Sequence, residues 1–125
     1  MATTFSDIAG SEYILLTTFT KDGRPKPTPI WAVVDGDGLI AITQGKSWKV
    51  KRIRNTPRVT IAECDRRGKP LSEAVEAVAA VDPARTADAY DAIGARYGLL
   101  GKAFNFFSKL RGGMKNNVAV EIKAA

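Results

Sequence analysis

The sequence predicts a mainly β fold, a single antiparallel barrel of six or so strands with helices at its openings. Three observations carry that prediction. Apolar and β-branched runs of strand length recur through the first two thirds of the chain and again at residues 117–123. Asp22-Gly23 and the Asp35-Gly36-Asp37-Gly38 stretch join the first of these runs through turns too short to hold a crossover helix, so the neighbours must be antiparallel. The 125 residues supply one modest core, and no repeat, low-complexity tract or linker divides them, so residues 1–125 read as one domain.

Each element follows from local pattern. Residues 13–19 form a buried-strand run that Lys21-Asp22-Gly23-Arg24 closes into a hairpin. A second strand at 26–34 turns at Asp35-Gly36-Asp37-Gly38 into a third at 39–43, giving a three-stranded meander. A short helix follows Gly45, with Val50 and Ile53 as its apolar stripe. Residues 57–64 alternate as a strand, and 65–70 make a hairpin loop. At 73–81 the helix preference of alanine and glutamate competes with valines and bounding loops, and a strand is the reading adopted. Asp82-Pro83 caps a helix whose Ala84, Ala87, Tyr90 and Ile93 repeat at helical spacing to about Gly98. Residues 100–110 suit a further helical segment ended by Gly112-Gly113, and 117–123 form the last strand.

Composition removes several function classes. Without histidine the usual zinc, haem and catalytic-triad constellations lose a main component, and no metal site is expected. The one cysteine, Cys64, cannot form an internal disulfide, and its alternating strand marks a buried structural thiol rather than a nucleophile. A reducing cytoplasm fits that usage. No apolar run approaches the roughly 20 residues of a spanning helix, and the N-terminus lacks a signal-peptide pattern. Neither a glycine-rich dinucleotide fingerprint nor a Walker loop is present. A chain this poor in catalytic side chains suits a bound cofactor that carries the reaction, and no catalytic residue is assigned. The net charge of +6 points to an acidic partner, whether nucleic acid, membrane surface or small anion.

Three features could carry chemistry. Lys46, Lys49, Lys51, Arg52 and Arg54 crowd one helix with no acid beside them, at an end where the helix dipole is already positive. Lys49 and Arg52 share a face, and Ser47 or Thr43 could donate a hydroxyl to a phosphate, Ser47 alternatively capping the helix. A solvated cationic face is the plain alternative; anion binding is preferred. The second feature is Pro25-Lys26-Pro27-Thr28-Pro29-Ile30-Trp31, where alternating prolines strip every donor from one strand edge. Such a strand belongs beside a cleft, where a planar ligand could meet the amides of Thr28 or Ile30, or it merely resists aggregation. Trp31 is either a stacking surface or core. Third, the aromatic and basic residues 102–111 could cover a membrane, stack on bases or line a subunit interface, the last being preferred.

The succession of residues 19–31, then Thr43-Gln44-Gly45-Lys46-Ser47-Trp48-Lys49-Val50, then Asn55-Thr56-Pro57-Arg58-Val59-Thr60 resembles the pyridoxamine 5'-phosphate oxidase-like split-barrel superfamily. Within it, the chain is most similar to small deazaflavin-dependent oxidoreductases. The resemblance covers the strands through about Arg67 well and the remainder only in length and layout. It implies a homodimer with cofactors in grooves between subunits. Thr43, Ser47 and Lys49 would contact the cofactor phosphate, and Pro27, Thr28, Pro29, Ile30 and Trp31 would lie along its ring, with Arg52 and Arg58 as nearby anionic contacts and Lys46, Lys51 and Arg54 as surplus charge that suits the phosphate and polyglutamate tail of coenzyme F420. Flavin mononucleotide (FMN) members often carry an arginine where this chain has Pro27-Thr28-Pro29, which favours coenzyme F420 over FMN. The activity implied is hydride transfer from reduced F420 to a small unsaturated substrate. The alternatives are an FMN oxidoreductase, a non-catalytic cofactor carrier and a polyanion-binding module; nucleic acid and stable membrane association are not expected.

Overall fold

The computed structural model describes residues 3–98 and 116–125. In chain order it comprises α1 (Phe5–Ala9), β1 (Ile14–Phe19), β2 (Pro25–Ile30), β3 (Ala32–Asp35), β4 (Gly38–Gln44), α2 (Trp48–Asn55), β5 (Arg58–Glu63), β6 (Val75–Asp82), a 3-10 turn (Pro83–Arg85), α3 (Thr86–Gly98) and β7 (Asn117–Ala124). The segment expected to be helical at 100–110, with the aromatic and basic residues 102–111, lies outside the described residues.

All strand pairs are antiparallel, in the order β2-β1-β5-β6-β7-β4-β3. β2 and β3 stand at opposite ends of that order, yet only Trp31 separates them in the chain. The backbone therefore carries one end of the sheet round to the other, and the sheet must curl into a split β-barrel. The single strand expected over 26–34 is thus two strands with different partners. β2 pairs with β1, setting Thr28 opposite Leu16, and β3 pairs with β4, setting Val33 opposite Ile40. The expected meander does not form, because a strand that changes partners has to bend at the exchange. Both Asp-Gly turns form as expected, with Gly23 at φ 86° and Gly36 at φ 61°, a region that glycine enters without steric cost.

Strand alternation sorts the side chains into layers. Ile14, Leu16, Leu39, Ala41, Ile61 and Ile122 face the barrel interior, with Ile8 of α1 and Ile53 of α2 joining the same cluster. On the outer face, Ile40, Ile42 and Ala119 pack under Ala89, Ile93 and Tyr97 of α3. The helix buries Thr86, Ala89, Ile93 and Tyr97, not the expected phase, which leaves Ala84 and Ala87 exposed. The cause is the 3-10 turn at Pro83–Arg85, capped by the Asp82 carboxylate accepting the Ala84 N–H at 3.1 Å, which rotates the helix that follows. A smaller outer cluster holds Leu15, Ala62 and Cys64. Burial, then Asp65 and Glu63, pushes the Cys64 thiol up, consistent with a structural thiol. Among the described residues no helix is long and apolar enough to cross a membrane.

Side-chain contacts at both ends of α3 hold it to the barrel. The Trp31 and Tyr97 rings stack at 4.2 Å with planes 3° apart, directly at the β2–β3 bend. The Tyr97 hydroxyl lies 2.7 Å from the Glu12 carbonyl and 3.2 Å from that of Ala32. At the start of α3, the Arg85 guanidinium bonds both oxygens of Asp35 and one of Asp88, and approaches Glu121 at 3.7 Å.

Tyr97→Phe keeps the stack and removes the hydroxyl. It should cost about 1–2 kcal/mol, read as a lower urea midpoint at unchanged slope. Hydrogen bonding to Arg85 holds the Asp35 carboxyl below its usual range. A carboxylate lowered in this way stabilises the fold above its unfolded value and loses that contribution as pH falls through the folded value. Asp35→Asn should therefore lower the thermal midpoint at neutral pH and flatten its fall below about pH 4.

Candidate functional site

The site begins where the barrel fails to close. Extending the β3–β4 register beyond the Ala32–Ala41 pair would set Pro29 opposite Gln44. The two-residue turn at Gly36-Asp37 makes Asp35–Gly38 a hydrogen-bonded pair, and alternation makes position 29 another, where proline has no N–H to give. The ladder stops there. β2 separates from the end of β4, leaving an opening with the proline edge on one side and the β4–α2 junction on the other.

The backbone of β2 is committed on its other edge. The Thr20 N–H donates to the Arg24 carbonyl at 3.0 Å, which starts the hairpin's hydrogen-bonded pairs. Alternation continues them at Thr18–Lys26, Leu16–Thr28 and Ile14–Ile30. The amides of Thr28 and Ile30 therefore point at β1, and the expectation that a ligand could meet them is corrected. Of the two readings of Trp31, core is the one observed: it is 8% exposed with one face against Tyr97, which leaves little of the ring for the cofactor contact that the resemblance implies.

Across the opening, β4 turns into α2. The Gly45 N–H donates to the Asn116 carbonyl and the Ser47 N–H to that of Gln44, each at 3.0 Å. Ser47 caps α2, its hydroxyl oxygen accepting the Val50 N–H at 3.4 Å. An accepting hydroxyl retains its own proton, so capping leaves Ser47 able to donate to an anion. Thr43 is buried near the end of β4, at interior-facing parity with Leu39 and Ala41. β1 and β4 run in the same direction, so Thr18 and Thr43 lie at the same end of the barrel.

Burial of Val50 and Ile53 turns Lys49 and Arg52 toward that end. The Arg52 Nε donates to the Thr18 hydroxyl at 2.7 Å, and this hydroxyl lies 3.5 Å from the Lys26 carbonyl. α2, β1 and β2 are thereby joined through one side chain. Lys49 is half-buried; desolvation, then the Arg52 charge, pulls its ammonium below the ordinary lysine value. Among the described residues no carboxylate pairs with Lys46, Lys49, Lys51, Arg52 or Arg54. Every ion pair found lies elsewhere.

The predicted cations do not all converge. Lys46, Lys51 and Arg54 are exposed, and Lys51 sits 4.5 Å over the Trp48 ring. Arg58 makes two bonds to Glu76, at 2.7 and 2.9 Å, and lies over the Phe19 ring. With its charge matched, Arg58 is ill suited to the anionic contact expected of it. Thr18 was not foreseen; its signal was a hydroxyl pair interrupting a buried-strand run. Among the described residues no group of three His, Cys, Asp or Glu side chains could hold a metal ion.

A family model described as pyridoxamine 5'-phosphate oxidase matches residues 4–125. Comparison with curated proteins finds no match. Among solved structures, an F420 reductase is 18% identical with a TM-score of 0.66, covering 100% of this chain and 96% of its own. A FAD-binding protein from Mesorhizobium loti is 16% identical at TM-score 0.63, covering 97% and 87%. HutZ, the heme storage protein from Vibrio cholerae, is 14% identical at TM-score 0.63, covering 93% and 83%. These structures share the barrel while their names span three prosthetic groups, so the likeness extends to fold alone. The family match takes in all of the chain after its first three residues, and by it the chain belongs to the pyridoxamine 5'-phosphate oxidase family.

Proposed function

We propose that this protein is an oxidoreductase that uses reduced coenzyme F420 to reduce a small unsaturated organic substrate, acting as a homodimer. The observation that carries the reading is the half-buried couple of Lys49, in the first turn of α2, and Arg52, one turn on, with no carboxylate paired to either among the described residues. A lysine losing hydration next to another cation is held in an unfavourable state that a phosphate relieves. Ser47 adds a hydroxyl donor there, and Thr43 lies just before it in the chain.

The choice of F420 over FMN rests on charge. Lys51 and Arg54 are exposed on the same helix and Lys46 in the turn before it, more positive charge than one phosphate needs and suited to a polyglutamate tail. Because Arg52 is tied through Thr18 to the Lys26 carbonyl, a tail held at α2 leads directly to the opening beside Pro27, Thr28, Pro29 and Ile30. When bound, the reduced deazaflavin supplies a hydride equivalent, and solvent supplies the proton that completes reduction of a polarised double bond. The chain's own residues bind the tail, orient the ring and keep water from one side of it.

Lys49→Ala should weaken F420 binding by about tenfold or more, measured by fluorescence quenching, with a thermal midpoint of the free protein that is not lowered. Unaltered affinity in a folded variant would refute the phosphate assignment. A parallel titration with FMN decides between the carriers, and steeply salt-dependent binding of polyanions without either carrier would favour the polyanion module. Lys49 also sets a pH dependence. A bound anion raises the depressed Lys49 value, so binding takes up a proton and affinity falls as pH rises through the free-protein value. That fall should begin below the ordinary lysine value of about 10.4 and disappear in Lys49→Arg, whose guanidinium stays charged.

A further inference from the structure

We infer that the outer edge of β2 reads the cofactor ring through backbone carbonyls alone, with the Pro27 carbonyl accepting the N3–H of the ring's pyrimidine portion. This rests on the cofactor reading above.

The edge is defined by hydrogen-bond parity. Lys26, Thr28 and Ile30 direct both backbone groups to β1, so the opposite edge carries the groups of Pro25, Pro27 and Pro29. Those residues contribute three carbonyls and no N–H. Among the described residues no donor approaches any of the three oxygens. Successive outward carbonyls of a strand are spaced about 6.8 Å apart, twice the rise per residue. A second β-strand on this edge would find no donors to accept, whatever chain it came from, so strand addition forfeits half its bonds. A ligand edge composed of acceptors is repelled for the same reason.

The pyrimidine portion of a flavin or deazaflavin offers what this edge lacks, a single ring N–H flanked by two carbonyls. At that spacing one strand carbonyl takes the N–H while the two ring carbonyls fall in the gaps beside it. Of the three positions, Pro25 is at the hairpin end. Pro29 is only partly exposed, its ring lying near Gly68 of the loop at 65–70. Pro27 is exposed, and its neighbour Lys26 is the residue whose carbonyl meets the Thr18 hydroxyl held by Arg52. The tail site and the ring site therefore meet at this residue.

Methylation of N3 tests the contact from the ligand side. The protein is titrated with F420 and 3-methyl-F420, and with FMN and 3-methyl-FMN. Methylation should weaken the bound carrier by about tenfold or more while its dependence on Lys49 persists. To separate a lost bond from a steric clash, the protein is labelled with proline bearing 13C at the carbonyl. The Pro27 resonance, assigned by its disappearance in Pro27→Ala, should shift downfield on binding the parent carrier and not the methylated one. Equal affinities, or an unmoved Pro27 resonance with a tightly bound carrier, would overturn the inference and leave the phosphate site intact. Failure of both parent carriers to bind would overturn the cofactor reading and this inference with it.

Discussion

The bend at Trp31 is the constraint on which the rest of the molecule depends. One stretch of backbone serves β1 with its first half and β4 with its second, which forces the seven-stranded order to curl. Bending a strand exposes its corner, and here the corner is filled by an indole stacked on Tyr97. The Tyr97 hydroxyl then meets backbone carbonyls from the segment before β1 and from the start of β3. Buried carbonyls left without donors are costly, so the same aromatic residue both packs the corner and satisfies it. α3 is therefore part of the closure rather than an ornament on its outside.

Charge is distributed with a comparable division. Arg24, Arg58 and Arg85 each have a carboxylate, and these pairs tie neighbouring strands, a turn or the start of a helix. The exposed pairs contribute little stability individually. The cations of α2 are different: Lys49 lies in the first turn, where the helix dipole is also positive, and no carboxylate among the described residues pairs with it or with Arg52 and Arg54, which fall in the last turn rather than at the start expected of them. Burying Val50 and Ile53 commits Lys49 and Arg52 to the barrel end, so exposure to solvent cannot relieve all of that repulsion. Hydrogen bonding of Arg52 to Thr18 orders the guanidinium without neutralising it.

Much of this was legible in the sequence because it depends on local chemistry. The Asp-Gly turns, the Ser47 cap, the α2 stripe and the strand at 73–81 are each decided within a few residues. What could not be read depends on partners far along the chain. Nothing within 26–34 says that its two halves pair with different strands, since that requires knowing that β5, β6 and β7 intervene between β1 and β4. The phase of α3 was missed because the proline that starts a helix can equally start a tighter turn, and the difference is one of rotation rather than of composition. The resemblance implies an anionic contact for Arg58, and nothing near it in the sequence shows that its charge goes to Glu76, 18 positions away on another strand. Trp31 reads from the sequence as either surface or core, and only the position of Tyr97 decides it.

The prolines of β2 link the split of the barrel to the chemistry of its edge. Where β3 meets β4, the odd-numbered residues turn their backbone groups toward β4; continued into β2, that same parity falls on Pro29, Pro27 and Pro25. A chain with ordinary residues at these positions could extend the β3–β4 ladder toward Gln44 and narrow the opening. Proline blocks this while still permitting the extended backbone that β1 requires on its side, since its fixed φ suits an edge strand. The missing donors thus have two consequences from a single cause. They keep the barrel split at the end where α2 gathers its charge, and they leave on the wall of that split a row of acceptors that neither β4 nor another strand can fully satisfy.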